Sequence, residues 1–205
     1  MQKLVLVAAL ALMAGGAQAV TLDIDGGQLN GASGVLVDGS LYDVLFLDGT
    51  CIALYDGCDD TSDFTFQTQA SAILASQALL DQVFLDGIEG LFDTHPSLTR
   101  GCTTNLTVEC FAFTPFLYFY GETPFFPGVV GPWARTVVAH NGDGLIGGQD
   151  GLGLDYDVST SLDSLDGAGF VFAVWTSVVP EPNTALLLGL GLTGLAAKGR
   201  RRNRS

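Results

Sequence analysis

Hydrophobic positions come in short runs along this chain. Residues 41–47 alternate: Tyr42, Val44 and Phe46 would face one way, Asp43 and Leu45 the other, the period-2 mark of a half-buried strand. Residues 111–120 and 133–140 are aromatic and β-branched, and residues 169–179 (GFVFAVWTSVV) read as a long strand. Between such runs Asp-Gly recurs eight times, at Asp25, Asp38, Asp48, Asp56, Asp86, Asp143, Asp150 and Asp166. This dipeptide favours tight hairpin turns, because Gly takes φ > 0 without strain.

One segment follows another period. Residues 67–85 are rich in Ala, Gln and Leu, and Ala70, Ile73, Leu74, Leu80 and Phe84 fall on one helical face, with Gln77 and Asp81 intruding on it. Residues 116–133 are divided by Pro124, Pro127 and Pro132, with Pro115 just before them. With Gly121, Gly128 and Gly131 they read as an exposed loop between strands. The aromatics there (Tyr118, Phe119, Tyr120, Phe125, Phe126, Trp133) are expected to close over the core; any left bare would offer a stacking surface for sugars or partners. The pattern predicts a mainly β single domain, a β-sandwich or β-roll-like fold with one helix at about residues 67–85.

The two ends follow a different logic. Lys3, an apolar run over residues 4–13 and the small-x-small triplet Ala17-Gln18-Ala19 make residues 1–19 a secretory signal. At the other end, Pro180-Glu181-Pro182 breaks the chain, since neither proline continues a helix or donates to a sheet. An apolar run over residues 184–197 follows, then Lys198, Arg200, Arg201, Arg202 and Arg204. Fourteen residues span about 21 Å as a helix, against about 30 Å of hydrocarbon. The span is therefore short, and the basic cluster would stay on the cytoplasmic side while the body lies outside. Residues 179–205 thus form a unit separate from an extracellular domain at residues 20–178.

This tripartite tail resembles the PEP-CTERM sorting signal of exported bacterial proteins, in Val179-Pro180-Glu181-Pro182, the apolar run and the terminal Arg cluster. It is also similar to what is labelled an ice-binding protein C-terminal domain, although regular Thr-x-Thr ladders are missing from the body. The resemblance implies a membrane protease-transpeptidase, exosortase, as partner. It further implies transient residence in the inner membrane through the C-terminal helix, then passage to the surface or an exopolysaccharide matrix.

Charge sharpens this picture. The whole chain of 205 residues carries −14, but six of its eight basic residues lie in the end signals. The body keeps Arg100 and Arg135 against twenty-one acids, a charge of −19. Such a surface repels phosphate backbones, which excludes nucleic acid as a partner. Acidic clusters suggest calcium as the one cofactor to consider, with Asp23, Asp25, Asp143, Asp155 and Asp157 as candidate ligands. Asp23/Asp25 and Asp155/Asp157 are i, i+2 pairs that would share a strand face. Asp56, Asp59, Asp60 and Asp63 crowd one loop, and Asn141, Asp143 and Asp150 a Gly-rich stretch, yet no formal calcium motif is met. The bland alternative is solvated turn carboxylates.

Four cysteines in an exported chain suggest disulfides. Of the three connectivities, the local one, Cys51 with Cys58 and Cys102 with Cys110, is expected; a zinc site is disfavoured by spacing and by the presence of only two histidines. His95 and His140 are the only imidazole bases, and neither a Gly-x-Ser-x-Gly elbow nor a His-Glu-x-x-His helix occurs. The expectation is a non-enzymatic surface or matrix protein. The alternatives are a calcium- or carbohydrate-binding adhesin and a secreted hydrolase with a histidine beside a carboxylate in a cleft.

Overall fold

The computed structural model describes residues 19–102, 109–124, 126–144, 148–164 and 169–178. The expected signal peptide, the expected membrane helix and the tail beyond 178 therefore lie outside the described residues, as does Asp166. No helix among the described residues is long and apolar enough to cross a membrane.

Seven strands form a single sheet: β1 (Thr21–Asp25), β2 (Gln28–Val37), β3 (Ser40–Leu47), β4 (Glu109–Thr123), β5 (Phe126–Gly142), β6 (Gly151–Ser159) and β7 (Phe170–Ser177). Their order is β1-β2-β3-β7-β4-β5-β6. Two antiparallel meanders, β1–β3 and β4–β6, are joined by the last strand, which runs antiparallel to β3 and parallel to β4. The sandwich expectation is thus corrected. The architecture is mainly β with one substantial helix, but what covers the sheet is helix and loop, not a second sheet.

The turn chemistry acts as the dipeptides suggest. Asp38 and Gly39 join β2 to β3 with φ of 47° and 79°, the double left-handed geometry that a two-residue hairpin needs. β3 buries Val44 and Phe46 and exposes Leu45, as its alternation requires. Residues 116–133 are not a loop. β4 and β5 continue pairing through Tyr120–Pro132 and Gly121–Gly131 as a long ribbon. The prolines fit because they occupy places where the ladder is one-sided or broken. β7 accompanies β4 only over Phe111–Phe113, and a bulge follows Pro115.

The helix exists, and its buried face overlaps the expected one only in part. A short helix, α1 (Cys51–Leu54), precedes the long one, α2 (Gln69–Gln82), which is capped by the Thr68 side chain accepting from the Ser71 N–H. α2 packs across β2, β4, β5 and β6. It buries Ala72, Ala75, Ser76, Ala78, Leu79 and Leu80; of the expected face, Leu80 and Phe84 are buried and Ile73 packs against the core, while Ala70 and Leu74 face solvent. Small side chains let the helix lie close to the sheet, and the Ser76 hydroxyl is satisfied by the Val137 carbonyl at 3.4 Å. The main core lies under α2, with Phe46 stacked on Phe84 at 5.3 Å. A second core cluster, containing Tyr55, Phe64, Phe113 and Phe172, brings the segment after β3 together with β4 and β7.

Candidate functional site

Alternation along β4 and β7 places Phe111 and Phe113, and Phe170 and Phe172, at i, i+2 positions, so each pair shares a face of the sheet. Neighbouring strands add His140 and Tyr156. The result is a continuous row of nearly parallel rings: His140 on Phe111 at 4.6 Å, Phe111 on Phe170 at 5.2 Å, Phe170 on Phe113 at 5.5 Å and Phe113 on Tyr156 at 5.6 Å. Phe113, Phe170 and Tyr156 line two hollows in common. One hollow, about 280 Å³, continues toward Trp133, Val158 and Leu162; the other, about 380 Å³, continues toward Val138, His140 and Leu152. Both are predominantly apolar, and the Tyr156 ring at the end of the row is 39 % exposed. Gly153 keeps the floor low: a Cβ there would already touch Val138 at 3.4 Å. The i, i+2 aromatic spacing was visible in the sequence; that four strands would align it was not.

Of the aromatics expected to close over the core, Trp133 is buried and Tyr118 and Phe119 are half-buried, whereas Tyr120 is 70 % exposed and Phe125 lies outside the described residues.

A bulge in β6 sets the chemistry next to this row. Thr136 pairs with Tyr156 and Val138 with Gly153, so two residues, Leu154 and Asp155, oppose Val137 alone. Asp155 takes φ of 55° there. The bulge breaks the alternation, so Asp155 is exposed and Asp157 buried rather than both sharing a face. The Asp157 carboxylate is fully enclosed. It accepts from Arg135 Nε at 2.7 Å, from Arg135 Nη2 at 3.2 Å and from the Thr123 hydroxyl. The Arg135 guanidinium lies 4.8 Å from the centre of the Phe119 ring, and its bonds to Asp157 hold it above the usual arginine range.

The other acids named from sequence scatter. Asp23 and Asp25 are exposed on edge strand β1, and β6 is the opposite edge, about 29 Å away at the usual strand spacing. Asp59, Asp60 and Asp63 are occupied in their own turn, where Asp60 caps Ser62 and is held below the usual carboxylate range by that bond. Among the described residues no group of three or more His, Cys, Asp or Glu side chains is placed to hold a metal ion.

Near the end of β5, Asp150 and Asn141 of the Gly-rich stretch meet Asp93 and Asp86, which the sequence pattern did not connect with them. Asp150 accepts from the Gly142 N–H at 2.9 Å and lies within hydrogen-bonding reach of Asp93. Burial, then the charges of Asp150 and Asp86, push the Asp93 carboxyl up. Asp86 moves the other way: burial opposes, but bonds from Thr94 and the Asp93 N–H hold it down. Asn141 nearby is buried and donates to the Phe92 carbonyl at 2.8 Å, while its Oδ1 has no hydrogen-bond partner among the described residues.

Both local cysteine pairs are closed. Cys51–Cys58 pins the segment that carries Tyr55 and Phe64, and Cys102–Cys110 ties the start of β4 to the loop before it. The Tyr55 hydroxyl donates to the Ala173 carbonyl at 3.2 Å, and its burial pushes the phenol up. His95 is exposed and sits beside the Thr94 hydroxyl at 3.1 Å. His140 is the histidine that lines a hollow, with Glu109 at 3.5 Å. That is an ion-pair distance; no hydrogen bond to Nε2 forms. The hollow's described lining supplies no thiol and, beyond the Tyr156 phenol, no side-chain hydroxyl.

β7 leads directly out of the sheet into the tail, and the tail marks the chain as an exported protein with a C-terminal sorting signal. The PEP-CTERM protein-sorting motif matches residues 178–202, which makes the chain a substrate for exosortase processing. No curated protein and no solved structure matches the chain.

Proposed function

We propose that this protein is a non-enzymatic component of the cell surface or extracellular matrix, delivered by exosortase, and that its aromatic row contacts neutral polysaccharide. The observation that carries the reading is the Phe113–Tyr156–Phe170 ridge between two apolar hollows, attached to a chain with a sorting tail. Sugar rings present C–H faces that pack on aromatic rings, and the Tyr156 ring is open to such a contact. The body's charge of −19 selects the polymer, since anionic polysaccharide would be repelled. The reading takes the His140 hollow as a contact surface because its described lining is mainly aromatic and aliphatic, while Ser159 and Ser164 line the adjoining hollow away from His140.

Affinity electrophoresis of the mature body through gels containing neutral or anionic polysaccharide tests this. Retardation by a neutral polymer, lost in Tyr156→Ala, is expected. Equal mobility in all gels would refute the sugar contact. Release of reducing ends from the polymer, abolished by His140→Phe, would instead establish the hydrolase.

A further inference from the structure

The last described residue, Val178, is bonded to the sheet and is also the first residue of the sorting motif. Ser177 is the Cα partner of Tyr42, and the Val178 N–H donates to the Leu41 carbonyl at 3.0 Å. The motif begins at residue 178, so one residue, Val179, separates that bond from Pro180. At about 3.3 Å per extended residue this is almost no slack.

β7 cannot swing away as an edge strand would, because it lies between β3 and β4. Its body is firmly held. Phe172 and Ala173 are fully buried, the Tyr55 hydroxyl bonds the Ala173 carbonyl, and the Thr65 hydroxyl bonds the Trp175 carbonyl at 2.6 Å. The grip changes sharply after Trp175. Thr176 and Ser177 are exposed, the β4 ladder stopped at Phe172, and only β3 still pairs with the strand. The sheet therefore has a lightly held end of two to three residues next to a motif that a protease must take up in extended form.

We propose that tail processing draws its chain from this end: Val178 and Ser177 peel from Leu41 and Tyr42 while the rest of β7 stays in place, and the grip of β3 on them sets the processing rate. The proposal rests on the sorted-tail reading and adds a step that the fold controls.

The test follows precursor half-life by pulse-chase of the full chain in cells that carry an exosortase. Inserting Gly-Ser-Gly-Ser between Val178 and Val179 supplies slack; it parts Val178 from the rest of the matched stretch but leaves the sheet bonds and Val179-Pro180-Glu181-Pro182 intact. It should shorten the half-life about tenfold, the factor that one or two ladder hydrogen bonds represent. The pair Tyr42→Cys with Ser177→Cys, once oxidised, clamps the end and should lengthen the half-life; adding the insert to the clamped chain should restore fast processing. If the clamped chain fails to fold, as judged by lost protease resistance, the insert alone decides. An unchanged half-life with the insert overturns the proposal. A wild-type tail that is never removed overturns the sorting reading itself, a separate and visible outcome.

Discussion

Replacing Arg135 by methionine should destabilise the domain far more than a surface arginine would. Asp157 has no solvent-exposed side-chain surface, and two of its three hydrogen bonds come from Arg135. Methionine keeps the stem that packs beside Phe119 but leaves the carboxylate buried with the Thr123 hydroxyl. Breaking one side of a buried pair costs about 3–5 kcal/mol. Arg135 keeps 28 % of its side chain exposed, so water can reach part of the vacated space and the lower end, about 3 kcal/mol, applies. The assay is urea unfolding of the oxidised body, followed by fluorescence of Trp133 and Trp175, both buried. The double change Arg135→Met with Asp157→Leu should recover most of the loss, because an apolar pair of similar volume needs no compensating charge. A loss below about 1 kcal/mol for Arg135→Met, the range of exposed pairs, would show that Asp157 is solvated and that the pair does not anchor β6 to β5.

Removing the first disulfide by Cys51→Ala with Cys58→Ala should cost about 2–3 kcal/mol by loop closure and loosen Tyr55 and Phe64, read as a lower melting temperature and lost near-ultraviolet dichroism. Gly31→Ala should cost about 3 kcal/mol or shift the β2–β3 register, because the new Cβ would stand 2.1 Å from the Val44 carbonyl oxygen, a backbone atom that cannot swing aside. Asp93 gives a pH signature of unusual sign. Its carboxyl is raised in the folded state, so the native protein holds that proton more tightly than the unfolded chain. Its contribution is present below the ordinary aspartate range and is lost as pH rises through the raised value. Asp93→Asn should therefore flatten that part of the stability profile and leave the protein more stable than wild type at neutral pH; an unchanged profile in urea titrations from pH 3 to 7 would show that burial and the neighbouring Asp150 and Asp86 charges do not raise the Asp93 carboxyl.

What could be read from the sequence was local, and what could not was the result of strands from distant parts of the chain meeting. Asp38-Gly39 announces its hairpin because two adjacent residues carry the whole geometry. The strand faces of β3 follow from its own alternation. The face of α2 is legible at Leu80 and Phe84 but not at Leu74, because close helix–sheet approach is served by Ala72, Ala75 and Ser76, whose small volumes carry little signal in a pattern. Asp155 and Asp157 looked like a calcium pair because a strand was assumed regular; a one-residue bulge set by pairing with β5 separated them and sent one to Arg135. The single sheet in place of a sandwich has the same origin. Both meanders are short-range, and either could have formed its own layer. β7, the last segment before the tail, binds β3 on one side and β4 on the other and so makes them one sheet. The two halves cannot be joined until residues 170–177 are available, which places completion of the fold and exposure of the sorting motif at the same stretch of chain.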